Sequence, residues 1–329
     1  MAKRSTSRGR RVAGGIAAVL IGILIFAGLT RLFQPKYYFS TEAASPETEM
    51  WRSFYDLPKD SLDIVFLGSS HMYNAVDPVA FEAMTGLSGF DLATSNQDLS
   101  VSYYCLRELL RFQKPEVIVF DAYGFELEPF EKKSTYKRTF DDMAWSSVKM
   151  GALRDWMPHM EGEKWLPRFL TLLDYHSRWE ELTDADIHGE AYVTSRRGFC
   201  PFVGAEEGVI SFDGIDGTDA TPVALSDLET DYFRKILALC RNNDITLVMI
   251  KTPSALWNIG KHEAVAALAE AEGVPFLDYN TNEAIAHLAL RGDADWRNTR
   301  HLNENGAARF TKVLAEDLAG GAYISVTEK

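Results

Sequence analysis

Short apolar runs alternate with amphipathic stretches along most of the chain. Asp63 to Leu67 (ending in Gly68), Gly89 to Ala93, Glu116 to Phe120, Ile245 to Ile250 and Val274 to Asp278 each read as a buried strand. Between them lie helical patterns. Asp77-Pro78 opens a helix over Val79 to Thr85, with Asp77 as N-cap and Pro78 in the first turn. Leu99 to Phe112 carries Tyr103, Leu106 and Leu110 at helical spacing, and Pro115 stops it. Ser226 caps a helix to Arg241, His262 to Glu272 forms another, and Ala307 to Leu318 is the last. Strand and helix in alternation imply an α/β fold: a mostly parallel sheet with helices on both faces. In such sheets sites form at the carboxyl ends of strands.

Two segments break the rhythm. Val12 to Leu29 is an unbroken run of apolar residues and glycine, and with Thr30 to Phe33 it is long enough to cross a bilayer. Lys3, Arg4, Arg8, Arg10 and Arg11 precede it, while Arg31 and Lys36 follow, so the positive-inside rule keeps residues 1–11 in the cytosol and exports the body. The alternative is a cleaved signal peptide, with Ala43-Ala44-Ser45 the nearest site. Residues 34–60 read as a linker, and 61–329 as the folded domain. The second break, at about 125–225, holds Trp145, Trp156, Trp165 and Trp179 and a Gly-rich stretch from Gly198 to Gly217. It reads as a mostly helical insertion, either a lid over a site or a small core of its own.

Composition narrows the function. The net charge is −13 although the first eleven residues are basic, and an acidic body argues against nucleic acid as a partner. Cys105, Cys200 and Cys240 have no metal-ligand spacing, and Cys105 and Cys240 read as buried thiols. Asp293-Ala294-Asp295 starts like a calcium loop, but Arg297 and the missing glycine spoil it, so neither metal nor cofactor is expected.

Two residues carry candidate chemistry. Gly68-Ser69-Ser70-His71 places a hydroxyl directly after the first strand, and a serine needs a base to become a nucleophile. His301 stands in a polar loop before the last helix, where an imidazole suits a general base. Taken singly, such a serine is usually a helix cap and such a histidine solvated.

Together they resemble the SGNH/GDSL hydrolase superfamily. Its first block has a nucleophilic serine after the first strand, here Ser70. Its last block has D-x-x-H before the C-terminal helix, here ending at His301. The strings L-G-S-S-H, K-P-x-V-x-V-x-D and H-L-N-x-x-G-A look most like a bacterial membrane-anchored cell-surface branch, similar to teichoic-acid D-alanylation and exopolysaccharide O-acetylation proteins. The resemblance implies a flavodoxin-like three-layer sandwich and a serine esterase or O-acyltransferase. Its partners would be a cell-surface polysaccharide or teichoic-acid-like polymer and a membrane acyltransferase. The chain departs from the family where Asn298 stands in place of the acid. A helical turn brings Asn298 to His301, whereas an extended loop brings Asp295 there. The family's oxyanion donors are not plainly present. Asn96 is the candidate donor, with a turn or cap as its plain alternative. His71 reads as packing or substrate contact, Lys251 as a solvated lysine or a contact for an anionic substrate, and Asp121 as structural.

Overall fold

The computed structural model describes residues 3–34, 46–182, 186–187, 196–206 and 208–325. It divides into two compact units, Met1–Lys36 with Gly162–Ala191, and Tyr37–Glu161 with Tyr192–Lys329.

The larger unit is built on five strands, β1 (Ile64–Gly68), β2 (Gly89–Ala93), β3 (Val117–Asp121), β4 (Thr246–Lys251) and β5 (Phe276–Asp278). They form one parallel sheet in the order β2-β1-β3-β4-β5. Successive strand residues face opposite sides. Val65, Leu67, Ile118, Phe120, Leu247 and Met249 therefore enter one core, and Ile64, Phe66, Val117, Val119, Val248 and Ile250 another. Two cores on the two faces make the three-layer α/β sandwich that the alternating pattern requires. The order is the flavodoxin-like one, in which the chain reverses direction across the sheet between β1 and β3 and opens a crevice at their carboxyl ends.

Helix starts follow the local chemistry. Asp77 Oδ1 accepts the Val79 and Ala80 N–H groups, with Pro78 opening the helix Pro78–Thr85. Ser226 and Glu229 form a capping box at the helix Asp227–Asn242. Asn303 Oδ1 accepts from Asn305 and Gly306 N–H at the last helix, Glu304–Gly320.

From Pro46 on, the expected linker is instead a helix, Pro46–Tyr55. Met50, Trp51 and Phe54 are fully buried in the core that also holds Leu67 and Phe90, and Trp51 Nε1 donates to the Thr139 carbonyl at 2.6 Å. Their spacing puts them on one helical face, which drives the segment into the domain. Residues 35–45, including Ala43 to Ser45, lie outside the described residues.

The insertion is helical in its first part, with helices Lys133–Asp141 and Ser147–Trp156. Its aromatics do not form a separate core there: Phe130, Tyr136, Phe140 and Trp156 join the main core. The described part of residues 196–225 is largely irregular and is stitched to loops of the domain. Asp91 N donates to Arg197 O, Cys200 N to Tyr73 O, Glu304 N to Phe202 O and Ile215 N to Asn280 O, at 2.8–2.9 Å. Cys105 and Cys240 are buried free thiols.

The smaller unit contains α1 (Lys3–Phe33). Within it, Gly9–Phe33 spans 25 residues at a mean hydropathy of 2.6, long and apolar enough to cross a membrane.

Candidate active site

Ser70 begins a one-turn helix, Ser70–Tyr73, directly after β1. Ser69 is the cap, its Oγ accepting the His71 N–H, so the neighbouring hydroxyl of Ser70 is left for other work. Gly68 makes the turn fit. A Cβ there would lie 2.9 Å from Asp121 Cβ and 3.1 Å from Met72 Cβ.

Ser70 Oγ lies 2.9 Å from His301 Nε2. The two residues are brought together across 231 positions of sequence by the sheet and the last helix. His301 is held by its own loop. Trp296 and Leu302 form an isolated bridge and are buried, and Arg297 N donates to His301 O at 2.9 Å. Asn303 then caps the last helix while its Nδ2 donates to Ala294 O at 2.8 Å. The H-L-N string thus places an imidazole, a core anchor and a cap in succession.

Asn298 lies against His301. Its Oδ1 accepts the Arg300 N–H at 2.9 Å and the His301 N–H at 3.0 Å, and stands 3.2 Å from His301 Nδ1. Two backbone donors fix that atom as the amide oxygen, so Nδ1 carries the proton and Nε2 offers its lone pair to Ser70. Burial, then the charges of Arg300 and Lys251, lower the His301 pKa to about 4. The imidazole is neutral at ordinary pH.

Asp295 is not brought to His301. It is fully buried, with Oδ2 accepting the Arg291 N–H at 2.7 Å and pairing with Arg309 Nε at 3.2 Å. Asn96 takes up a left-handed backbone, φ 52°, and its Oδ1 accepts from Lys132 Nζ at 3.2 Å. Among the described residues no hydrogen bond joins it to Ser70 or His301.

His71 is buried beside the pair. Its ring stacks on Tyr123 with centroids 3.8 Å apart, and its centroid is 4.7 Å from that of His301. Among the described residues neither ring nitrogen has a hydrogen-bond partner, and burial, reinforced by Lys251, His301 and Arg300, holds its pKa well below the usual value. Lys251 is not solvated, as a lysine at a strand end would be expected to be. It is fully buried, donates to Thr252 O at 2.9 Å, and lies 5.6 Å and 5.1 Å from the ring centroids of Tyr123 and Trp257. Those rings supply the cation with an electron-rich shelter that sequence spacing does not reveal. Asp121 accepts from Tyr123 N, Thr252 N and Thr252 Oγ1, each at 3.3 Å, and ties the ends of β3 and β4 together. Burial raises its pKa, against the charge of Lys251.

Phe202 was not a sequence candidate. It meets the His301 ring edge-on, centroids 5.3 Å apart, and comes from the Gly-rich part of the insertion. A cavity of about 370 Å³ lies nearer β3 and β4, lined by Phe125, Glu126, Trp257 and Lys261 among others, and does not include Ser70. Among the described residues no group of three or more His, Cys, Asp or Glu is arranged to hold a metal ion.

No protein-family profile matches the sequence, and no curated protein does. Among solved structures, a protein assigned as an acylhydrolase from Bacteroides fragilis is 12% identical with a TM-score of 0.38, covering 82% of this chain and 94% of its own. A GDSL-like lipase from Bacteroides thetaiotaomicron is 10% identical with a TM-score of 0.38, covering 84% of this chain and 98% of its own.

Proposed function

We propose that the chain is a membrane-anchored, extracytoplasmic serine esterase or O-acyltransferase of SGNH type that acts on a cell-envelope glycopolymer. The observation that carries the proposal is the 2.9 Å approach of Ser70 Oγ to Nε2 of His301, at the carboxyl edge of a parallel sheet. As Oγ attacks an ester carbonyl, Nε2 takes its proton. The backbone N–H of Ser70, in the first helical turn and so without an intrahelical partner, faces the oxyanion that forms. His301 then returns the proton to the leaving alcohol, and acyl-Ser70 remains. Water or a sugar hydroxyl, deprotonated in turn by His301, resolves it. The apolar N-terminal helix supports work at a membrane surface, beside a wall or lipid-linked polymer and a membrane acyltransferase that supplies or receives the acyl group.

A second reading has one observation in its favour. Asn298 gives His301 an oriented oxygen but no negative charge. An SGNH-like envelope protein that binds glycan or a membrane partner, with weak or no turnover, fits that substitution. A fluorophosphonate probe separates the two. The esterase reading expects labelling of the wild type that disappears in Ser70→Ala and drops sharply in His301→Gln. A wild type that takes no label, or a Ser70→Ala variant labelled equally well, supports the binding reading instead.

A further inference from the structure

The smaller unit reverses the polarity expected of a helical segment in water. It contains the short helices Trp165–Phe169 and Leu172–Tyr175 and the 3-10 turn His176–Glu180. Two of its ion pairs are turned inward. Arg168 is 1% exposed and pairs with Asp174, and Arg178 pairs at 3.5 Å with Asp186, whose side chain is 1% exposed. Its apolar side chains are turned outward: Trp165, Leu166, Phe169, Leu173, Trp179 and Ile187 are each 39–64% exposed. In water both halves of this arrangement are costly, because buried charges lose hydration and clustered aromatics gain none of the benefit of burial. At a bilayer surface neither is. Apolar side chains enter the acyl boundary, tryptophan prefers the headgroup level, and charges are best paired and withdrawn.

The place of this surface agrees. Leu172–Tyr175 and the 3-10 turn pack against α1, and Arg178 Nη1 donates to the Phe33 carbonyl at 2.7 Å, the last residue of that helix. At about 1.5 Å per residue α1 is long enough to cross the roughly 30 Å hydrocarbon core, so a segment held at Phe33 lies where the helix leaves it. Within 162–182, exposed Lys164 is offset by exposed Glu180 and Glu181, so no basic patch among these residues draws the segment to anionic lipid.

We propose that residues 162–182 with Ile187 form a membrane-surface platform, seating Trp165, Leu166, Phe169, Leu173 and Trp179 in the headgroup and upper acyl region of the bilayer that α1 crosses. The platform rests on α1 spanning a membrane and does not depend on the chemistry of Ser70. It gives the anchor a second, lateral hold on the same leaflet, driven by apolar contact.

The test uses the full chain in phosphatidylcholine vesicles, with and without lipid brominated near the headgroup end of the acyl chains. Bromine should quench part of the tryptophan emission, and the quenching should survive high salt. The double substitution Trp165→Phe, Trp179→Phe should remove most of it, while Trp145→Phe in the larger unit should not. Protein that floats with the vesicles yet shows no quenching, or a double variant quenched like the wild type, overturns the platform while leaving the anchor standing. Protein that does not float overturns the anchor, and the platform with it. Tryptophans shielded from acrylamide but untouched by bromine mean that protein, a second copy or a partner, covers the surface, and the lipid platform is then wrong. Labelling of Ser70 should be the same in all variants, which keeps this result apart from the esterase test.

Discussion

Asn298 Oδ1 stands 3.2 Å from His301 Nδ1 while accepting the backbone N–H of His301 itself at 3.0 Å. The amide is thus oriented by the residue it orients. It fixes the tautomer that a serine nucleophile needs, and it withholds the charge that an imidazolium would welcome.

Restoring the charge should restore rate. In Asn298→Asp the carboxylate keeps the same two backbone donors and the same Nδ1–H, so the geometry should survive. The reverse change in a serine triad costs about four powers of ten when the tautomer is lost. Here the tautomer is already right, so the expected gain is smaller, about tenfold or more in kcat/KM on an activated ester. A rate within twofold of wild type would mean that imidazolium stabilisation does not limit this site.

The pH dependence follows from the cations. In the proposed mechanism the base is neutral imidazole, and burial with Arg300 and Lys251 lowers the His301 pKa to about 4. Wild-type kcat/KM should therefore hold as pH falls below 6.5 and decline only towards pH 4. Arg300→Ala makes protonation easier, so the acid limb should move up, by less than one unit because Arg300 is exposed and screened. Asn298→Asp should move it up further. Stability has the matching sign. The folded pKa lies below the unfolded one, so the unfolded chain binds the proton first, and stability is lost as pH falls from about 6.5 to about 4. An acid limb near 6.5 in the wild type would contradict this environment for His301.

Asp295 should behave as a structural residue. Its carboxylate accepts the Arg291 N–H and pairs with Arg309, both away from the imidazole. Asp295→Ala leaves a partly buried donor unpaired, a loss of about 2 kcal/mol, moderated because the arginines reach solvent. The urea midpoint should fall while kcat per folded molecule stays within a few-fold of wild type. A kcat loss of a hundredfold at unchanged midpoint would return Asp295 to the site.

What was legible follows from how local each signal is. The five strands are apolar runs, and caps such as Asp77-Pro78 and Ser226 with Glu229 sit next to the helices they start, so pattern alone locates them. The approach of Ser70 to His301 is not local, but a serine after the first strand and a histidine before the last helix are both brought to the same sheet edge by topology. The choice between Asn298 and Asp295 turned on whether the loop coils, which three backbone-scale hydrogen bonds decide and composition does not. Lys251 was misread because its shelter is tertiary: Tyr123 comes from the 3-10 turn after β3, and Trp257 from the far end of the loop that follows β4. Phe202 gave no signal inside a Gly-rich stretch.

The helix Pro46–Tyr55 was also missed, and its burial makes a sharp expectation. A linker tolerates truncation, whereas this segment places Trp51 against Tyr55 at 5.6 Å between ring centroids and Phe54 edge-on to Phe90 and Phe112 at 5.8 Å. Phe90 lies on β2 and Phe112 just before β3, so the helix braces the sheet edge next to β1, the strand that delivers Ser70. Removing a buried tryptophan side chain costs about 3–5 kcal/mol, a large share of a typical domain's stability. Trp51→Ala should therefore lower the melting temperature of the larger unit by several degrees or more, and a chain starting at residue 61 should be insoluble or unfolded. A chain starting at residue 46 should keep a cooperative melting transition of the larger unit and its fluorophosphonate labelling, since it retains the helix Pro46–Tyr55. If the chain starting at residue 61 folds and labels as well as the one starting at 46, the helix is a passenger and the domain begins where a linker would have ended.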